Sequence, residues 1–127
     1  MTSDIIEIRT NLSVEHVKDI FRSTLQSFSR KVEFGAVQSD DNPFNTPFDF
    51  EAYASLKTLV GGWIVQIYIG DEQDTRVVNL VAIGSSAFGR AFWGVKNTVS
   101  RSAGREKALL VLENLRTTDP ALQTAAF

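Results

Sequence analysis

The chain has 127 residues, of which 43% are hydrophobic and 22% charged, and its formal net charge is −2. This length fits one domain with a substantial core, and the composition is that of an ordinary globular protein. The weakly negative charge argues against a protein that binds nucleic acid through a strong basic excess.

The first predicted elements are a strand and a helix. Residues 4–9 alternate apolar and polar side chains, as a strand does. Ser13 is a good N-cap and Glu15 suits the positive end of a helix, which we predict over residues 13–30. Apolar residues recur there at three- and four-residue spacing and form one stripe, with Ile20 beside it: Val14, Val17, Phe21, Leu25 and Phe28. That stripe predicts packing on a sheet.

A second strand is predicted over residues 31–38, followed by a loop over residues 39–48 that is rich in Asp, Asn and Pro. The loop contains two large apolar residues, Phe44 and Phe48. Because large apolar groups usually lie inside, we favour an interpretation in which both close an edge of the core. An exposed binding tip is the alternative.

The next predicted elements are a strand over residues 50–57 and a hairpin over residues 62–84. The first hairpin strand is apolar on both faces. One face carries Trp63, Val65, Ile67 and Ile69, and the other carries Ile64, Gln66 and Tyr68. A sheet covered on one side alternates more cleanly than this. Each face therefore needs a cover, whether a helix, a ligand or another subunit.

The last third of the chain predicts a further strand over residues 88–95 and a helix that begins at Ser100 or Ser102 and runs to Arg116. The buried stripe of that helix is expected at Ala108, Val111, Leu112 and Leu115. We predict an α+β fold with a curved antiparallel sheet of five to six strands, in the order β-α-β-β-β-β-β-α, and two helices packed on it. Residues 1–120 form a single domain in this prediction, and residues 121–127 form a loose tail.

The opening segment Ile5–Ile20 resembles the strand-then-helix start of START-like, polyketide-cyclase-like helix-grip domains. An extended strand leads there through a capped turn, here at Ser13, into a helix with Val at an early position, here Val17. The meander and the C-terminal amphipathic helix fit the same element order. The resemblance implies a hydrophobic ligand held between the curved sheet and the last helix, but it assigns no ligand residue to this sequence.

Motifs for catalysis, metals and cofactors are weak in this sequence. The lone histidine, His16, has no partner in the sequence that indicates acid–base chemistry. Residues 84–89 have the glycine spacing of a phosphate loop, but the Lys-Ser/Thr that completes one is missing. Without cysteine the chain has no thiolate ligand and no disulfide. We expect no metal and no cofactor.

The sequence gives no sign of export or membrane insertion. Its first residues lack the basic segment and apolar run of a signal peptide, and no apolar run approaches the length of a membrane span. We expect a cytoplasmic protein that binds neither nucleic acid nor membrane.

The leading functional hypothesis is a non-enzymatic binding module for a small apolar ligand or a protein partner. Aromatic rings dominate such contacts, and a buried mid-strand amide needs hydrogen-bond partners that a ligand or a partner chain can supply. The candidate contact residues are therefore Trp63, Gln66, Tyr68, Asn79, Phe92 and Trp93. The alternative is a chaperone-like or adaptor protein that forms a homodimer through its sheet. An enzyme of the cyclase or hydratase kind is a third hypothesis, and it requires an Asp, Glu or Tyr within a cavity.

Overall fold

The computed structural model describes residues 5–37, 44, 48–58, 61–72, 75–83 and 100–126. Within these ranges two helices pack on an open, curved antiparallel sheet of six strands, which confirms the predicted α+β fold. The elements in chain order are β1 (Ile5–Thr10), α1 (Val14–Gln26), β2 (Glu33–Ala36), β3 (Phe50–Thr58), β4 (Gly61–Glu72), β5 (Thr75–Ile83), α2 (Arg101–Thr118) and β6 (Gln123–Ala126).

The strand order across the sheet is β2-β3-β4-β5-β1-β6. Strands β2 to β5 are therefore a meander, in which each strand pairs with the next along the chain. The predicted hairpin is present as β4 and β5, with Gln66 opposite Val81 and Tyr68 opposite Asn79. β1 pairs antiparallel with β5, so the N-terminal strand lies far from β2 although only α1 separates the two in sequence.

The prediction of a loose tail over residues 121–127 is wrong for residues 123–126. Gln123–Ala126 forms β6 and pairs antiparallel with β1, with Arg9 opposite Gln123 and Ile6 opposite Ala126. Without this partner the outer edge of β1 would present unpaired N–H and C=O groups, and pairing with the tail satisfies them. The strand predicted over residues 88–95 lies outside the described residues, so the sixth described strand follows the last helix.

Both helices begin where the sequence predicts. The side chain of Ser13 accepts a hydrogen bond from the His16 N–H at 3.1 Å, and that of Ser100 accepts one from the Ala103 N–H at 3.1 Å. α1 ends at Gln26, earlier than predicted, and Phe28 lies beyond it with 41% of its surface exposed. In the described part of the chain, no helix is long and apolar enough to cross a membrane.

The helices cover one face of the sheet and bury its apolar side chains. The helix-facing residues of β4 are almost fully buried: Trp63, Val65, Ile67 and Ile69. The predicted stripe of α2 packs into the same core: Ala108, Val111, Leu112 and Leu115. The predicted stripe of α1 does so through Val17, Phe21 and Leu25. Burial of this apolar area on one side of the sheet is the main source of the fold's stability.

The two helices do not approach the sheet equally. A Cβ placed on Gly104 of α2 would lie 3.1 Å from the Ile64 carbonyl oxygen and 3.4 Å from the Ala82 Cβ. These separations are tighter than most Cβ contacts in proteins, so a side chain here would push against the sheet, and glycine lets α2 sit closely on β4 and β5. The Asn114 side-chain amide donates to the Thr24 hydroxyl at 2.7 Å and ties α2 to α1.

Candidate functional site

The predicted contact residue Trp63 lies in the core between the sheet and the helices. It is 4% exposed, and the Phe28 ring packs edge-on against it with 6.4 Å between centroids. The Lys107 ammonium group lies 4.6 Å from the centre of the Phe28 ring and 5.9 Å from that of Trp63. Trp63 thus anchors a local cation–aromatic cluster at the start of β4.

Three other predicted contact residues lie on the opposite face of the sheet. Gln66, Tyr68 and Asn79 are all buried there, and the Tyr68 hydroxyl donates to the Gln66 side-chain oxygen at 2.8 Å. Among the described residues, no buried side-chain nitrogen or oxygen lacks a hydrogen-bond partner. The Gln66 side chain therefore has a hydrogen-bond partner inside the chain, and it does not require a ligand to supply one.

The two loop phenylalanines contribute to the cover of this second face. Their rings pack on Tyr68, with centroid separations of 5.1 Å for Phe44 and 5.4 Å for Phe48. Phe44 and Phe48 also contact each other at 5.1 Å. This agrees with the interpretation that they close part of the core.

The predicted contact residues do not share one surface. Trp63 faces the helices, whereas Gln66, Tyr68 and Asn79 face the other way. The last two candidates, Phe92 and Trp93, lie outside the described residues.

A cleft of about 210 Å³ opens at a different place, between α1 and the edge strand β2 with its neighbour β3. It is lined by Lys18, Phe21, Arg22, Phe34, Gly35, Ala36, Phe50, Glu51 and Ala52. Three of these side chains are phenylalanines, and the Phe21 and Phe34 rings meet edge-to-face with 6.2 Å between centroids. The cleft therefore has aromatic walls and combines apolar area with a small number of charged groups.

Helix geometry places two cations beside the aromatic walls. Lys18, Phe21 and Arg22 are spaced by three and four residues, so they share one side of α1. The Lys18 ammonium group lies 4.5 Å from the centre of the Phe50 ring. The Arg22 guanidinium carbon lies 5.8 Å from the centre of the Phe34 ring. Each cation thus reaches from the helix over a ring on the strand side of the cleft.

One carboxylate also lines the cleft, but a backbone group holds it. The Glu51 side chain accepts a hydrogen bond from the Phe48 N–H at 2.8 Å. Lys18 forms an ion pair with Glu15 at 3.3 Å, in which the Glu15 side chain is 78% exposed. In the described part of the chain, Arg22 makes no ion pair with a carboxylate.

Packing on the outer face fixes the β2 wall of the cleft. Gly35 lies opposite Tyr53, and a Cβ on Gly35 would lie 2.8 Å from the Tyr53 ring. The tyrosine ring therefore lies directly over the glycine, and a side chain at this position would have to displace the ring. Burial raises the pKa of Tyr53 above its ordinary value of 10.0, and the nearby Glu33 carboxylate raises it further. The phenol is neutral at neutral pH, as expected for a packing residue.

A second, polar depression lies where β1 ends against the turn after α2, and its side chains are engaged in holding the fold. The Asp119 carboxylate accepts from the Thr10 hydroxyl at 2.6 Å, from the Ala121 N–H at 3.2 Å and from the Asn11 N–H at 3.4 Å. The Thr10 bond is the main cause of a lowered pKa of Asp119. We interpret this cluster as a structural connection between β1 and the end of α2.

Sequence reasoning missed the cleft because it assigned all its aromatic residues to the core. Phe21 was assigned to the helix stripe, and Phe34 and Phe50 to predicted strands. The available signal was the pair of cations flanking Phe21 on one helix side, Lys18 and Arg22. That signal gains meaning only once the strand order places Phe34 and Phe50 opposite the same helix.

Comparison with known proteins gives no relative. No protein-family model, no curated protein and no solved structure matches this chain. The resemblance to helix-grip domains therefore stays a prediction. Among the described residues, no group of three or more His, Cys, Asp or Glu side chains could hold a metal ion.

Proposed function

We propose that the protein is a non-enzymatic binding module that takes a small apolar ligand in the cleft between α1 and the β2–β3 edge. The observation that carries this proposal is the set of three phenylalanines, Phe21, Phe34 and Phe50, around about 210 Å³ of open volume. Aromatic walls of this kind supply apolar contact area at low conformational cost.

The size of the cleft limits the ligand. Binding pockets for drug-sized molecules occupy about 300–1,000 Å³, so a cleft of 210 Å³ is too small for them. An engineered apolar cavity of about 150 Å³ in another protein holds one benzene molecule. A single ring or a short alkyl chain is therefore the size of ligand that we propose.

The position of the cleft differs from the one that the helix-grip resemblance implies. That resemblance places the ligand against the last helix, but α2 contacts the sheet closely at Gly104. The open volume lies under α1 instead. Our proposal therefore rests on the cleft itself and not on the resemblance.

The homodimer hypothesis has less support from the geometry. A dimer through the outer face of the sheet would use side chains such as Gln66 and Tyr68. Both are fully buried within a single chain, and Phe44 and Phe48 pack on Tyr68. A second copy could reach them only by displacing this cover. Sedimentation velocity measures the oligomeric state directly, and a stable dimer would favour the alternative over our proposal.

The binding proposal is tested by titrating a neutral probe, benzyl alcohol, into ¹⁵N-labelled protein. We expect amide shifts concentrated at Gly35, Ala36 and residues 50–52. The variant Ala52→Leu should lose these shifts because its longer side chain occupies the cleft. The control Ala121→Leu makes the same change on an exposed turn and should bind as the wild type does. Shifts spread over other regions, or equal binding by both variants, would overturn the proposal.

A further inference from the structure

We propose that the ligand of this cleft is an amphipathic anion, a single ring or short chain that carries a carboxylate, and that Arg22 is its main charged partner. This inference rests on the proposed function, because it specifies the ligand class of the same cleft. Lys18 is the second charged partner.

The apolar half of the ligand follows from the walls. Phe21 and Phe34 already pack edge-to-face. A ring of the ligand can pack against this pair in the same favourable arrangement. Phe50 adds a third ring on the strand side. A planar ring therefore fits the shape and the chemistry of this part of the cleft.

The charged half follows from Arg22. Its guanidinium group has a planar fork of N–H donors that matches a carboxylate in two parallel hydrogen bonds. In the described part of the chain no carboxylate forms an ion pair with it, and its guanidinium carbon lies 5.8 Å from the centre of the Phe34 ring. A carboxylate attached to a ring that packs on Phe34 would lie within reach of this fork.

Lys18 supplements Arg22 from the same side of the helix. Its ammonium group is paired with Glu15 at 3.3 Å, but the Glu15 side chain is 78% exposed. An exposed ion pair of this kind is worth about 1 kcal/mol or less, so a ligand carboxylate can compete for the ammonium group. Lys18 also lies over the Phe50 ring, which places it beside the same apolar volume.

The balance of charges at the cleft favours an anion. Two cations and one carboxylate line it, and the Glu51 carboxylate is engaged by the Phe48 N–H. This local excess of positive charge stands in a chain whose formal net charge is −2. The positive lining of the cleft is therefore a local feature, opposite in sign to the net charge of the whole chain.

The test compares benzoate with benzyl alcohol, which share a ring and differ in the charged group. Both are titrated into ¹⁵N-labelled wild type, Arg22→Gln and the control Arg30→Gln, which removes an exposed charge outside the cleft. We expect benzoate to bind roughly fivefold or more tightly than benzyl alcohol, the gain from a charge-assisted over a neutral hydrogen bond. This preference should weaken as salt is added, because the cations are near the surface.

The Arg22→Gln variant should lose most of the preference for benzoate over benzyl alcohol. Arg30→Gln should behave as the wild type does, and Lys18→Gln should lose a smaller part of the preference. Equal binding of the two probes to the wild type would overturn the anion proposal and leave the binding function standing. The anion proposal would also be overturned if Arg22→Gln kept the full preference for benzoate over benzyl alcohol. Failure of both probes to bind at the cleft would overturn the proposed function itself.

Discussion

The two helices of this protein meet the same sheet in different ways. α2 lies on the central strands so closely that a Cβ at Gly104 would lie only 3.1 Å from the Ile64 carbonyl oxygen. α1 faces the edge strand β2 and its neighbour β3 across aromatic and charged side chains, and a cleft of about 210 Å³ remains between them. The difference indicates a division of roles, in which the α2 junction supplies stability and the α1 junction supplies room for a ligand.

The largest effect is expected from truncating the α2 junction. Leu115 is fully buried, so Leu115→Ala should lower the free energy of unfolding by about 2–5 kcal/mol through lost apolar contact and a residual cavity. Leu109 lies on the same helix and is 41% exposed, so Leu109→Ala should change the free energy of unfolding by only about 0.5 kcal/mol. Urea unfolding of both variants measures this difference. Equal losses would contradict the proposed burial of the α2 stripe.

A second pair of variants adds the same number of carbon atoms at each junction. Gly104→Val places a side chain against the Ile64 carbonyl and should cost about 1–3 kcal/mol of unfolding free energy through overpacking. Ala52→Leu places its added carbons in the cleft, so we expect a change of about 1 kcal/mol or less. Thermal and urea unfolding compare the two. A cost at Ala52 as large as that at Gly104 would mean that the cleft is not open space.

The smallest effect concerns the far end of α2, where Asp119 connects the helix to Thr10. Because the folded-state pKa of Asp119 is lowered, its bonds add stability above the ordinary value of 3.8, and this stability is lost as pH falls through the lower folded-state pKa. Asp119→Asn should therefore be less stable near neutral pH and should lose less of its stability below pH 3.8. Melting temperatures across this range test the sign. Parallel pH profiles of wild type and variant would contradict it.

Local signals in the sequence were sufficient to predict most of the helices and strands. Ser13 was expected as a helix cap and Ser100 was one of two candidates with Ser102, and both Ser13 and Ser100 accept the hydrogen bonds that define a cap. The two-faced pattern around Trp63 correctly separated the side chains of β4 into two sets. Such features depend on neighbouring residues and on the periods of helix and strand, so they can be read without knowledge of the rest of the fold.

The tail and the cleft could not be read in this way. Gln123–Ala126 has little strand propensity of its own, and it becomes β6 because β1 offers an open edge. Phe34 and Phe50 look like ordinary strand residues until the sheet order places them opposite Lys18 and Arg22. The contact residues predicted from aromatic content were separated onto two faces, because alternation along β4 and β5 decides which way each side chain points.

The sequence by itself determined that the chain has two amphipathic helices and a meander whose hairpin is apolar on both faces. Those properties follow from periodicity and capping, which act over a few residues. Only the tertiary structure decided which helix packs tightly and which leaves a cleft. That outcome depends on one glycine against a distant carbonyl and on three phenylalanines from separate elements, contacts that arise only when distant parts of the chain meet.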